Sequence, residues 1–125
     1  MESGNIPDNN ITASSAVSQA KNGRLNNAGS WCAETADDVN PYLQIDLQTL
    51  HIICAVSTQG NPKADEWVKT YALQVSTDGS TWTDYEEFGQ VKVSVPAELA
   101  QKITNDRSLG KAVVFVFLET QCLLN

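Results

Sequence analysis

Hydrophobic and polar residues alternate in Tyr42-Leu43-Gln44-Ile45-Asp46-Leu47, which puts Leu43, Ile45 and Leu47 on one face and Gln44 and Asp46 on the other. Successive side chains of an extended chain point to opposite faces, so this stretch predicts a half-buried β-strand. His51 to Thr58 is β-branched and nearly all apolar, and reads as a more central strand. Gln59-Gly60-Asn61-Pro62-Lys63-Ala64-Asp65-Glu66 then interrupts the pattern with glycine, proline and charge, as an exposed loop does. From Trp67 to Ser76 the alternation returns, with Tyr71, Leu73 and Val75 on one side. Asp78-Gly79 is a turn signal, and Thr81 to Tyr85 is the returning strand of a hairpin. Upstream, residues 1–40 are rich in Asn, Ser, Ala, Gly and Asp without sustained periodicity, which predicts loops with one or two short strands. Several short strands with turn punctuation and no βαβ rhythm predict an all-β chain, an antiparallel sandwich or barrel.

The last third differs. Pro96 stands at a first helical position, and Leu99 and Ile103 are spaced i, i+4, so a short helix is expected near 97–103. Gly110 would stop it, and residues 112–118 read as a buried strand. That apolar run is far shorter than the roughly 20 residues a membrane-spanning helix needs.

Composition narrows the function classes. The chain has 125 residues, about one domain, and 42% of them are hydrophobic, enough to build a core. Eight basic against 15 acidic residues give a net charge of −7. A nucleic-acid binder needs a basic face, so nucleic acid is not an expected partner, and attraction to anionic membranes is weakened. The three cysteines have no C-x-x-C spacing and His51 is the only histidine, which argues against zinc. No basic and apolar leader opens the chain, so no signal peptide is visible in it. Asn10-Ile11-Thr12 is a glycosylation sequon.

Four stretches in order then carry a family likeness: Ile6-Pro7-Asp8-Asn9-Asn10-Ile11-Thr12-Ala13-Ser14-Ser15; Gly23-Arg24-Leu25-Asn26 through Gly29-Ser30-Trp31-Cys32-Ala33; Tyr42 to Leu47; and Thr58-Gln59-Gly60 followed by Trp67 to Tyr71. The hairpin from Val75 to Trp82 adds a fifth. Together they resemble a discoidin domain, the coagulation factor V/VIII C-type domain. The resemblance covers about Met1 to Lys92, so residues 1–92 are expected to form the sandwich core. Residues 93–125 read as a divergent segment: either the family's closing strands are replaced, with 112–118 as the substitute strand, or the product is truncated or alternatively terminated. The cysteine that normally precedes the first strand, and the family's closing Leu-x-Gly-Cys, have no counterpart.

The resemblance implies a jelly-roll-like β-sandwich in a secreted protein or a cell-surface ectodomain, a non-enzymatic recognition module binding cell-surface glycans or extracellular proteins through loops at one end. The candidate ligand loops hold Gln19, Lys21 and Asn22 in the first, and Asn61, Lys63, Asp65 and Glu66 in the second. Their tips are short and polar, which places anionic phospholipid behind glycan or protein as a ligand. A structural spacer that binds nothing is the third reading. Cys32 and Cys54 both lie within the span that the resemblance covers, and a bridge between them would stabilise by about 3 kcal/mol in the chain-entropy model; two free thiols are the alternative, and Cys122 would be left over. Trp31, Trp67 and Trp82 are expected to serve core and barrel-end packing rather than to stack on sugars. Arg24 and Asp46 are candidates for ligand contact, with structural ion pairing as the competing reading. Glu34, Asp37 and Asp38 form an acidic cluster that a Ca²⁺ ion would suit, against the plainer reading of a solvated turn. No motif pairs a nucleophile with a base, so no catalytic residue and no cofactor are expected.

Overall fold

The computed structural model describes residues 4–34, 38–51, 53, 58–64, 66–68, 71–87, 90, 91, 93, 94 and 113–117; for 87 and all later positions it describes the backbone alone. Among the described residues there are eight strands: β1 (Ile11–Ala13), β2 (Tyr42–Ile45), β3 (Tyr71–Ser76), β4 (Thr83–Asp84), β5 (Glu86–Glu87), β6 (Gln90–Val91), β7 (Val93–Ser94) and β8 (Val113–Phe117). The main sheet has the order β1-β2-β8-β3-β4, with β7 also on β3, and β5 and β6 form a separate antiparallel pair. The expected helix near 97–103 and most of the 51–58 strand lie outside the described residues.

β8 pairs antiparallel with both β2 and β3. Its sequence, Val-Val-Phe-Val-Phe, is the β-branched and aromatic composition that a central strand favours. β2 and β3 therefore run parallel to each other and start at the same end of the sheet. Tyr42 and Ala72 are both level with Phe117 there, and Ala13 is level with Leu43. Ser14 and the chain segments entering β2 and β3 lie at this first end. The second end is marked by Ile11 level with Ile45, and by Ser76 level with Val113. It carries Asp8–Asn10, the exit from β2 and the β3–β4 hairpin.

The predicted alternation is visible in burial. Leu43 and Ile45, and Tyr71 and Leu73, are buried, while Gln44 and Ala72 are half-buried. They join Ile11, Ala13, Ala20, Trp31, Ala33 and Tyr85 in the core. The phase slips at the end of β3, where Ser76 rather than Val75 is buried. Ser76 turns inward because its hydroxyl organises the hairpin: Oγ accepts the Gly79 N–H at 2.9 Å and donates to Asp78 Oδ1 at 3.0 Å. Asp78 Oδ1 also accepts the Ser80 and Thr81 N–H groups, both at 2.8 Å. Those backbone bonds, then the Ser76 hydroxyl, hold the Asp78 carboxyl down at about 2. Gly79 supplies the left-handed residue of the turn, at φ +73°.

One close approach decides a residue type. A Cβ on Gly23 would sit 2.7 Å from Leu43 Cδ2, and Leu43 is only 5% exposed. Gly23→Ala must displace a packed leucine, and that exceeds the gain from a stiffer unfolded chain. The expected result is a net destabilisation of about 1 kcal/mol, read from the urea midpoint. An unchanged or raised midpoint would show that Leu43 can yield.

Candidate functional site

Three chain segments are tied together around the first end. The first leaves Ser14 and turns sharply at Ala16, whose φ of 47° is left-handed and costly for a residue with a Cβ. Ala16 is held there by packing against the core. It leads into a 3-10 segment, Val17–Gly23, in which Ala20 is fully buried. The first candidate loop is thus a pinned turn of helix rather than a free loop. One small apolar residue among Ser18, Gln19, Lys21 and Asn22 carries too little periodicity to predict it. Gln19 and Lys21 are exposed and Asn22 is half-buried.

Arg24 follows and ties this segment back to Asp8 at the second end of the sheet. Its Nε and Nη2 donate to Asp8 Oδ1 at 3.1 and 2.7 Å, and Nη2 also donates to the Ile6 carbonyl. Lys21 Nζ lies 3.9 Å from Asp8 Oδ2. Arg24 is therefore structural, and the partner that fixes it is Asp8. Asp46 serves its own turn, accepting the Gln48 N–H at 2.6 Å.

The second segment, 24–32, bridges the two candidate loops. Gly29 packs beside the Asn22 side chain, with the Asn22 carboxamide carbon 3.5 Å from where a Cβ would stand. The Asn26 N–H donates to Gln59 Oε1 at 2.6 Å, and Cys32 Sγ lies 3.9 Å from Glu66 Oε2. Trp31 anchors the segment: its ring is buried and its Nε1 donates to the Ser15 carbonyl at 3.0 Å. Cys32 is disulfide-bonded. Its partner is one of the other two cysteines, Cys54 and Cys122, both outside the described residues.

The third segment closes on itself. Asn61 N–H donates to the Glu66 carbonyl, and Asn61 Nδ2 to Glu66 Oε2, each at 2.8 Å. Asn61 Oδ1 accepts the Lys63 N–H at 3.0 Å. Gly60 permits this closure, since a Cβ there would stand 3.1 Å from the Glu66 carbonyl. Lys63 is exposed, and Asp65 lies outside the described residues. Trp67 ends the segment at the rim of the sandwich: it is 42% exposed, whereas Trp31 is 7% exposed. Trp82 is half-buried. The signal for Trp67 was its position, directly after a polar loop and before the apolar alternation begins.

Behind the loops, Asp38 joins the entry of β2 to the exit of β1. Its Oδ2 accepts the Ser14 and Ser15 hydroxyls at 2.5 and 2.6 Å. Ser14 Oγ in turn accepts the Tyr42 N–H, and Ser15 Oγ the Glu34 N–H, each at 2.9 Å. Desolvation raises the Asp38 pKa, but the bonds from Ser14, Ser15 and the Asn40 backbone outweigh it and hold the carboxyl below its ordinary 3.8. A lowered folded-state pKa contributes stability above the unfolded value and loses it as pH falls through the folded one. Asp38→Asn should therefore be less stable than the parent by a constant margin above about pH 5, and by a shrinking margin below about pH 4. Chemical denaturation across that range measures it; a margin that grows on acidification would refute the assignment. Among the described residues no three His, Cys, Asp or Glu side chains gather into a cation site. Asp37, part of the acidic cluster, lies outside them.

Comparison with known proteins gives a match to the F5/8 type C domain family over residues 10–119, which runs past Lys92 and takes in β8. The chain is 37% identical over 108 residues to human Epithelial discoidin domain-containing receptor 1, covering 75% of this chain and 12% of that protein. It is 37% identical over 94 residues to human Neuropilin-1, covering 70% of this chain and 10% of the relative. With rat Neuropilin-2 the identity is 35% over 101 residues, covering 74% of this chain and 11% of the relative.

Proposed function

The chain belongs to the F5/8 type C, or discoidin, domain family and has its β-sandwich fold, and on that premise we propose that it is an extracellular recognition module, part of a secreted protein or an ectodomain, that binds glycans or extracellular proteins through the first-end loops. The observation that carries this is the exposed Trp67 beside the closed Asn61–Glu66 loop. An indole face next to a fixed carboxylate and amide combines a large contact area with directional hydrogen bonding, at low conformational cost. Gln19, Asn22 and Lys63 supply further polar groups on the same two loops, while Lys21 leans toward Asp8. Preorganisation favours the same reading, because both loops are held by their own hydrogen bonds before any ligand arrives.

Peripheral binding to anionic phospholipid is the second reading. Val17, 57% exposed at the start of the first loop, and Trp67 favour it; the net charge of −7 opposes it. A glycan array, a panel of immobilised extracellular matrix proteins and phosphatidylserine liposomes form the test. Saturable binding to a glycan or matrix protein, with no liposome binding, is expected. Liposome binding that survives high salt would install the second reading, and binding to nothing would make the domain a spacer.

We assign the Cys32 disulfide to Cys54. Ile53, the residue before Cys54, packs against the cluster that contains Trp31 and Ala33, the two neighbours of Cys32. A Cys32–Cys54 linked peptide is expected from digestion without reduction; a Cys32–Cys122 peptide would overturn the assignment.

A further inference from the structure

The sequon Asn10-Ile11-Thr12 plays no part in the ligand loops, and its placement is specific. Asn10 ends the short 3-10 turn Asp8–Asn10, and Thr12 is the middle residue of β1. Because Ile11 is level with Ile45, Asn10 stands at the second end of the sheet, beside the exit of β2. The backbone confirms the neighbourhood: Asp46 N–H donates to the Asn10 carbonyl at 2.8 Å. Ser14, Trp31, Glu66 and the entry to β3 lie at the other end.

The Asn10 side chain is half-buried, and its Nδ2 donates to the Asp46 carbonyl at 3.4 Å. A carboxamide nitrogen has two N–H groups. One is taken by Asp46, and the other is the one a sugar would replace, so the fold is kept when the nitrogen is substituted. β1 pairs with β2 on one edge, and Thr12 is half-buried opposite Gln44 on the polar face of the sheet.

We propose that Asn10 carries an N-linked oligosaccharide at the second end of the sheet, leaving Trp67 and the loop at 59–66 uncovered. The donor is a lipid-pyrophosphate-linked oligosaccharide. Asn10 Nδ2 forms the bond to sugar C1, the C1–oxygen bond to pyrophosphate breaks, the lipid pyrophosphate leaves, and the amide gives up one proton. The proposal rests on the secretory location read above, and the test separates the two.

The full chain is expressed behind a secretory leader in mammalian cells, and material from cells and medium together is digested with peptide-N-glycosidase. A mass loss with conversion of Asn10 to Asp is expected. Asn10→Gln and Thr12→Ala should both lose the mass shift completely, while Thr12→Ser, which keeps the sequon, should retain it. Hydroxyl-radical oxidation of Trp67 should proceed at the same rate before and after digestion. An unmodified Asn10 in protein that has passed through the secretory pathway would overturn the site and leave the ligand-binding reading standing. Oxidation of Trp67 that rises on deglycosylation would overturn the placement.

Discussion

Trp31→Ala is expected to destabilise the domain by about 3–5 kcal/mol, the range for removing a large aromatic from a packed interior. Trp31 is only 7% exposed and lies in one cluster with Ala20, Ala33 and Leu43. Truncation opens a cavity there and leaves the Ser15 carbonyl without the indole N–H that reaches it at 3.0 Å. Ser15 also accepts the Glu34 N–H and donates to Asp38, so the loss reaches the join between β1 and β2. Trp31→Phe isolates the two contributions. It keeps much of the ring and loses the N–H, and should cost about 1–2 kcal/mol. Urea denaturation measures both. A loss below about 1.5 kcal/mol for the alanine variant would mean that the 24–32 segment is not held through this ring.

Trp67→Ala is expected to reduce affinity for whichever glycan or matrix protein the binding panel identifies by at least about tenfold, while the urea midpoint stays within about 0.5 kcal/mol of the parent. The separation of the two effects is the point of the experiment. An exposed indole contributes little to the fold but a great deal to an interface that buries it. Asn61→Ala should act differently. It removes the 2.8 Å bond to Glu66 and the 3.0 Å bond from Lys63, loosening the loop that presents Trp67. Unaltered binding by Trp67→Ala would remove the observation on which the proposed function stands.

Much of the sheet was legible because burial on one face leaves a period of two. Leu43 and Ile45 are both buried as the alternation requires, and the Asp78-Gly79 turn lies in the hairpin it predicts. The pattern failed where a hydrogen bond overrode it. Ser76 is buried against its polarity because its hydroxyl satisfies the turn. The 3-10 segment at Val17–Gly23 was hidden for a different reason: its only buried residue is an alanine, which is apolar but small. The site was legible in outline only. Sequence placed the loops, but Gln59 reaching Asn26, and Arg24 taking Asp8, are contacts between residues 33 and 16 positions apart, and no local pattern encodes them. For Trp67 the sequence left core and barrel end undivided, because a tryptophan beside a strand pattern is equally at home in a core and at its rim.

The interior position of β8 bears on the order in which the chain can acquire its structure. Among the described residues β2 and β3 have no ladder with each other; each is joined to the sheet's middle through residues 113–117. During synthesis the first four strands emerge from the ribosome long before the strand that must lie between two of them. Until then two edges capable of pairing with another chain stand open. The contacts that close them span some 40 to 75 positions, as Val75 with Val114 and Tyr42 with Phe117 show. Closing such long loops before any reward is collected makes folding slow. A domain wired in this way cannot complete its sheet until β8 has emerged, and depends in the interval on whatever shields the nascent edges.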